Sequence, residues 1–155
     1  MGSRSKIDLA YIAGFLDGDG SLMMQVKRRS DNGKSRFMMT ICFYQDSRHD
    51  KPLHWIRKML GIGYVSKRND NITELRINGY QRVSDIITKL LPFIKFKKIQ
   101  AKALIKGARI LKKKKLQKND YEKLIDIILE IQGENYVTKK KKTRKELLKI
   151  LGLTP

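Results

Sequence analysis

The feature that most narrows the possible folds is a change of hydrophobic period at residues 17–20. Before it, Ile7, Leu9, Ile12, Phe15 and Leu16 recur at helical spacing. After it, Leu22, Met24 and Val26 alternate with Met23, Gln25, Lys27 and Arg29. The first pattern fits one stripe of a helix and the second fits a strand with one buried face. Asp17-Gly18-Asp19-Gly20 lies between them. The expectation is a helix over residues 5–16, a glycine-rich turn, and then a strand. Ser5, with Asp8 three positions later, predicts a capping box at the helix start.

The same logic carries on downstream. Ser30-Asp31-Asn32-Gly33 predicts a hairpin turn. The return strand puts Phe37, Met39, Ile41 and Phe43 on its core side and Arg36, Met38 and Thr40 on the other. A second helix is expected from Asp50 and Pro52, closed by Gly61, with Leu53, Ile56, Met59 and Leu60 inward. A second hairpin follows: a strand over 64–68, a turn at Asn69-Asp70-Asn71, and a strand over 72–78. Val83, Ile86, Ile87, Leu90 and Leu91 predict a third helix, stopped by Pro92. Three more helices are expected over 99–111, 119–132 (capped by Asn119 and Glu122, stopped by Gly133) and 143–151 (capped by Thr143 and Glu146). The order αββαββα plus C-terminal helices is an α+β fold, an antiparallel sheet with helices over one face. It forms one domain over residues 1–155, with a flexible start at 1–5 and a basic helical tail at 133–155.

Charge selects the partner. Thirty-five Lys and Arg against fifteen Asp and Glu leave the 155-residue chain at +20, which predicts attraction to a polyanion, with nucleic acid first. A membrane surface would share that attraction, but no apolar run approaches the roughly 18 residues of a spanning helix. Residues 1–5 carry no apolar stretch, so no secretory leader is expected. The single Cys42 leaves no intramolecular disulfide and no cysteine zinc cluster, which suits a reducing compartment such as a chloroplast, a mitochondrion or a prokaryotic cytoplasm. His49 and His54 are too few for a histidine-rich metal site.

Chemistry concentrates at Asp17-Gly18-Asp19-Gly20, where two carboxylates offer the hard oxygen ligands that Mg²⁺ prefers. Three readings compete: a solvated helix end, a calcium loop, and a nuclease metal site. The calcium loop fails, because it needs Gly at position 22 and Glu at 28, where Leu22 and Arg28 stand. The other two remain open on these residues alone.

Ile12-Ala-Gly-Phe-Leu-Asp-Gly-Asp-Gly-Ser21 resembles the signature of LAGLIDADG homing endonucleases, in the group with one motif per chain. Phe43-Tyr-Gln45, Gly61-Ile-Gly-Tyr-Val65, Leu91-Pro-Phe-Ile-Lys-Phe-Lys97 with Gln100-Ala101, and Lys142-Thr-Arg-Lys145 match that group in order and spacing. The resemblance implies a saddle-shaped sheet seated in the major groove of double-stranded DNA and intron-encoded, site-specific cleavage of both strands by a homodimer. It makes Asp19 a metal ligand, with the Gly18 carbonyl beside it, for Mg²⁺, with Mn²⁺ or Ca²⁺ substituting for binding. Gln45 and Lys97 complete the implied catalytic set, as residues of a water and phosphate pocket. No small-molecule substrate and no membrane partner are implied. The alternatives are an intron RNA maturase or a nucleic-acid-binding protein that does not cleave.

One motif per chain requires the two Asp19 carboxylates to meet across a dimer axis. Ala10, Ala13 and Gly14, with Gly18, are small residues near one-turn spacing that would let two helices approach closely; the same residues would also suit a crowded core. Base reading falls to the polar strand face: Gln25, Lys27, Arg29, Arg36, Met38, Thr40, Ser66, Arg68, Glu74 and Arg76. Lys113, Lys142 and Lys145 are expected to meet phosphates, giving affinity without sequence information.

Overall fold

The computed structural model describes residues 5–28, 31–135 and 141–153. Arg29, Ser30, Lys139, Lys140 and the first four residues lie outside the described residues. The elements run α1 (Lys6–Asp19), β1 (Gly20–Arg28), β2 (Ser35–Asp46), α2 (Lys51–Leu60), β3 (Tyr64–Lys67), β4 (Ile72–Asn78), α3 (Tyr80–Leu90), α4 (Lys98–Leu111), α5 (Lys118–Glu134) and α6 (Arg144–Ile150). Short 3-10 turns at Ser47–His49 and Leu91–Phe93 precede α2 and follow α3. The four strands form one sheet in the order β1-β2-β4-β3, antiparallel throughout. The expected α+β architecture is present.

Alternation along the strands decides which face is covered. Leu22, Met24 and Val26 of β1, Met39, Ile41 and Phe43 of β2, and Leu75 and Ile77 of β4 are buried. They join one core with Ile12 and Leu16 of α1, Leu53 and Ile56 of α2, Val83 and Ile87 of α3, Leu104 of α4 and Ile128 of α5. Among the described residues, the opposite sheet face has no helical layer of its own and carries most of the polar strand residues.

Several boundaries differ from expectation. Helix α1 runs on through Asp17 and Gly18 to Asp19 and passes straight into β1, so the predicted glycine-rich turn is the last turn of a helix. Gly20 makes this join possible: a Cβ there would stand 2.7 Å from Leu16 Cδ1 and 2.9 Å from the Cys42 carbonyl. Helix α5 is capped by Gln117 and Asp120 rather than by Asn119 and Glu122, and Gly133 lies inside it. An interior glycine costs only about 1 kcal/mol against alanine, too little to stop a helix whose Ile131 is anchored in the core. Three expected helix ends are observed, whereas Asp50, in the cap position of α2, makes no side-chain cap hydrogen bond. The Ser5 hydroxyl accepts from the Asp8 N–H, the Thr143 hydroxyl from the Glu146 N–H, and Gly61 ends α2 at φ +72°.

Candidate active site

Asp17 and Asp19 stand two residues apart at the end of α1, and the helical twist of about 100° per residue turns them to different surroundings. Asp17 is 8% exposed. Its carboxylate accepts the backbone N–H groups of Lys95 (2.6 Å), Phe96 (3.2 Å) and Lys97 (3.1 Å), while its own carbonyl accepts from Lys97 Nζ at 2.7 Å. Three consecutive amides just ahead of α4 thus converge on one anion, and the latch fixes the segment that carries Lys97. Asp17→Asn replaces an anion acceptor with an amide whose NH₂ faces N–H donors. We expect a loss of about 3 kcal/mol in stability, read as a lower denaturation midpoint. A midpoint equal to that of the unsubstituted chain would remove Asp17 from this role.

Asp19, by contrast, is exposed. It lines an open cleft of about 530 Å³ with Gly18, Gly20, Ser21, Tyr44 and Lys97. Burial pushes the Lys97 ammonium below the ordinary lysine range, against the opposing pull of Asp17 and Asp19. Burial raises the Tyr44 phenol, which shares a 3.1 Å hydrogen bond with the Ser21 hydroxyl. Among the described residues, no group of three or more His, Cys, Asp or Glu side chains is placed to hold a metal ion. The Asp19 carboxylate and Gly18 carbonyl are hard oxygen donors that suit Mg²⁺, an ion commonly held by one or two carboxylates together with substrate phosphate oxygens.

Gln45 does not line this cleft. It follows Phe43 on the helix-covered side of β2 by alternation, is half-buried, and its Oε1 accepts from the Asp46 N–H at 2.9 Å.

The outer stripe of α1 consists of Ile7, Tyr11, Gly14 and Gly18, all exposed, with Ile7 at 81%. A Cβ on Gly14 or Gly18 would meet nothing within 4 Å. Packing within one chain therefore does not require either glycine. Ala10 is half-buried beside this stripe. Ala13, expected at a helix-helix contact, is instead buried in the core of the chain, because it shares a face with Ile12, Leu16 and Asp17. Ile7, which helical spacing grouped with the core residues, lies outside the core.

On the outer sheet face Gln25, Lys27, Arg36 and Arg68 are exposed, and Met38, Ser66, Glu74 and Arg76 are half-buried. Thr40 departs from the expected exposed face. It is buried, and its hydroxyl donates to Asn78 Oδ1 at 2.8 Å across the β2–β4 pairing. Lys113 is exposed, and its ammonium is held at 2.7 Å by the buried Asp120 that caps α5. Lys142 and Lys145 are exposed, and the Lys142 backbone is clamped by the Gln132 amide at 2.9 and 3.1 Å, beside Gln25 and Val26. Tyr44 escaped the sequence analysis, although the alternation Arg36, Met38, Thr40 reaches it two steps further on.

A family model described as LAGLIDADG endonuclease matches residues 12–106. The chain is 32% identical over 111 residues to the DNA endonuclease I-CvuI of Chlorella vulgaris, covering 71% of this chain and 67% of that protein. It is 31% identical over 99 residues to the DNA endonuclease I-CreI of Chlamydomonas reinhardtii, covering 63% of this chain and 60% of that one. A crystal structure of I-CvuI in complex with its target in the presence of Ca superposes with a TM-score of 0.74 at 29% identity, over 96% of this chain and 97% of that chain. The archaeal intron-encoded homing endonuclease I-Vdi141I, complexed with DNA, shares the fold at a TM-score of 0.79 and 22% identity, over 96% and 97% of the two chains.

Proposed function

Because the chain belongs to the LAGLIDADG endonuclease family, we propose that it is a site-specific double-strand DNA homing endonuclease, acting as a homodimer with Mg²⁺. The observation that carries this reading is the exposed Asp19 beside the part-buried Lys97 in one open cleft, at the root of a basic outer sheet face. A dimer axis along the outer stripe of α1 would bring two Asp19 carboxylates and two Gly18 carbonyls together, doubling the oxygen donors that one chain supplies. Without a cation, like charges so placed repel.

When bound there, a divalent cation supplies Lewis-acid polarisation of the scissile phosphate and of water. The side chains of the protein do the rest. Lys97 offsets negative charge building on the phosphate oxygens, held in place by the Asp17 latch. Hydrolysis proceeds with no covalent protein intermediate.

The test is cleavage of a randomised duplex library in Mg²⁺. Double-strand breaks at one family of related, pseudo-palindromic sites are expected. Binding without breaks in Mg²⁺ or Mn²⁺, or a preference for structured RNA over duplex DNA, would overturn the proposal.

Recognition divides between two kinds of residue. Arg68→Ala and Arg76→Ala should each cost about 1–3 kcal/mol per half-site and relax the preference at a few base pairs, because alanine cannot grip a base edge as the guanidinium fork does. Lys142→Ala should weaken all sequences alike and reduce the salt slope by about 1 for each phosphate left unneutralised. Binding titrations across salt and sequence separate the two. Unchanged base preferences in both arginine variants would mean that another surface reads the DNA.

A further inference from the structure

The reading face of a chain with net charge +20 carries a carboxylate on an inner strand. Glu74 Oε1 lies 3.4 Å from Arg76 Nε, the two side chains being 13% and 27% exposed. They are two residues apart on β4 and so share its outer face. Cross-strand neighbours enclose the pair: Glu74 stands between Tyr44 and Ser66, and Arg76 between Cys42 and Tyr64. The hairpin tip repeats the arrangement in the open. There Asp70 Oδ2 accepts from Arg68 Nη2 at 2.7 Å, and Asp70 Oδ1 accepts from the Ile72 N–H at 3.3 Å. Arg68 and Arg76 therefore each have a carboxylate beside them.

An acid on a surface that meets phosphates opposes binding through like charge. Its compensating effect is on the arginine. A free guanidinium samples many rotamers, whereas one held by a carboxylate presents its fork in a preset direction and loses less freedom on forming a bidentate contact. Affinity for DNA in general falls while discrimination rises, and specificity is that difference. Glu74, so little exposed and turned to Arg76, is placed to orient the arginine rather than to touch a base.

Resting on the DNA-endonuclease reading above, we infer that Glu74 is a positioning residue that presets Arg76 as a guanine reader, with Asp70 doing the same for Arg68 at the hairpin tip. Each half-site of the target then carries a guanine facing Arg76.

The experiment measures binding to duplex oligonucleotides in Ca²⁺, comparing a preferred site, all its single-base variants and random-sequence DNA. Thermal melts check that each variant is folded. Arg76→Ala identifies the base pair concerned. Glu74→Gln is expected to lower discrimination at that same base pair roughly tenfold and to tighten binding to random DNA about threefold, because a repelling charge is gone. Glu74→Asp keeps the charge but withdraws it from the guanidinium, so discrimination should fall with no gain on random DNA. Adding Glu74→Gln to Arg76→Ala should change the base preference no further. The inference is overturned if Glu74→Gln leaves that preference intact, or shifts the preference at a different base pair, which would make Glu74 a reader itself. Failure of the underlying function shows separately, as an unsubstituted protein with no base preference at any position.

Discussion

Asp19→Asn is expected to abolish Mg²⁺-dependent cleavage, by on the order of 10³-fold or more, while leaving specific DNA binding in Ca²⁺ intact. The contrast with its neighbour makes the prediction sharp. Asp17 is committed to three backbone amides and a lysine-held carbonyl, whereas Asp19 is exposed at the mouth of the cleft. Replacing Asp19 should therefore leave the denaturation midpoint unchanged, where replacing Asp17 lowers it. If two Asp19 carboxylates meet at a dimer axis, removing their charge also relieves mutual repulsion, so binding has no reason to weaken. Cleavage at the unsubstituted rate by Asp19→Asn would sink the assignment. Loss of metal dependence through Asp17 instead would shift the site by half a helical turn.

The second large effect is at Gly14, where leucine should separate the two subunits and remove cleavage with them. Within one chain there is space for the side chain, since a Cβ meets nothing within 4 Å. Leucine is also the better helix former by roughly 0.8 kcal/mol, so the isolated subunit should melt at or above the temperature of the unsubstituted chain. Across a twofold axis the intruding side chain occurs twice, at about 1–3 kcal/mol of overpacking for each copy. Sedimentation should show a folded monomer, and the nuclease assay no double-strand breaks. A dimeric, fully active Gly14→Leu variant would place the subunit contact elsewhere.

Much of this architecture was legible because the sheet and its helices rest on local periodicity. Leu22, Met24 and Val26 declare a buried strand face, and Ser5, Thr143 and Gly61 declare helix ends, with causes within a few residues. The misreadings have distant causes. Asp17-Gly18-Asp19 looks like a turn because aspartate and glycine favour turns, yet it stays helical while Asp17 receives amides 78 to 80 positions away. Thr40 looks outward until Asn78 of β4 arrives beside it. Ala13 and Gly14 are equally small, and only the rotation of α1 in the finished fold sends one to the core and leaves the other outside. The site followed the same rule: the motif singled out Asp19, but its nearness to Lys97 depends on the loop that Asp17 captures.

The most direct test of a cleaving centre shared by two chains is a mixing experiment. Unsubstituted and Asp19→Asn chains are co-expressed at controlled ratios, purified as the mixed population, and assayed for double-strand breaks on a recovered site at saturating DNA. If each break needs Asp19 from both subunits, activity falls as the square of the unsubstituted fraction, to about a quarter at equal mixing. A linear fall, to about half at equal mixing, would mean that a single chain carries the whole site and would contradict the account.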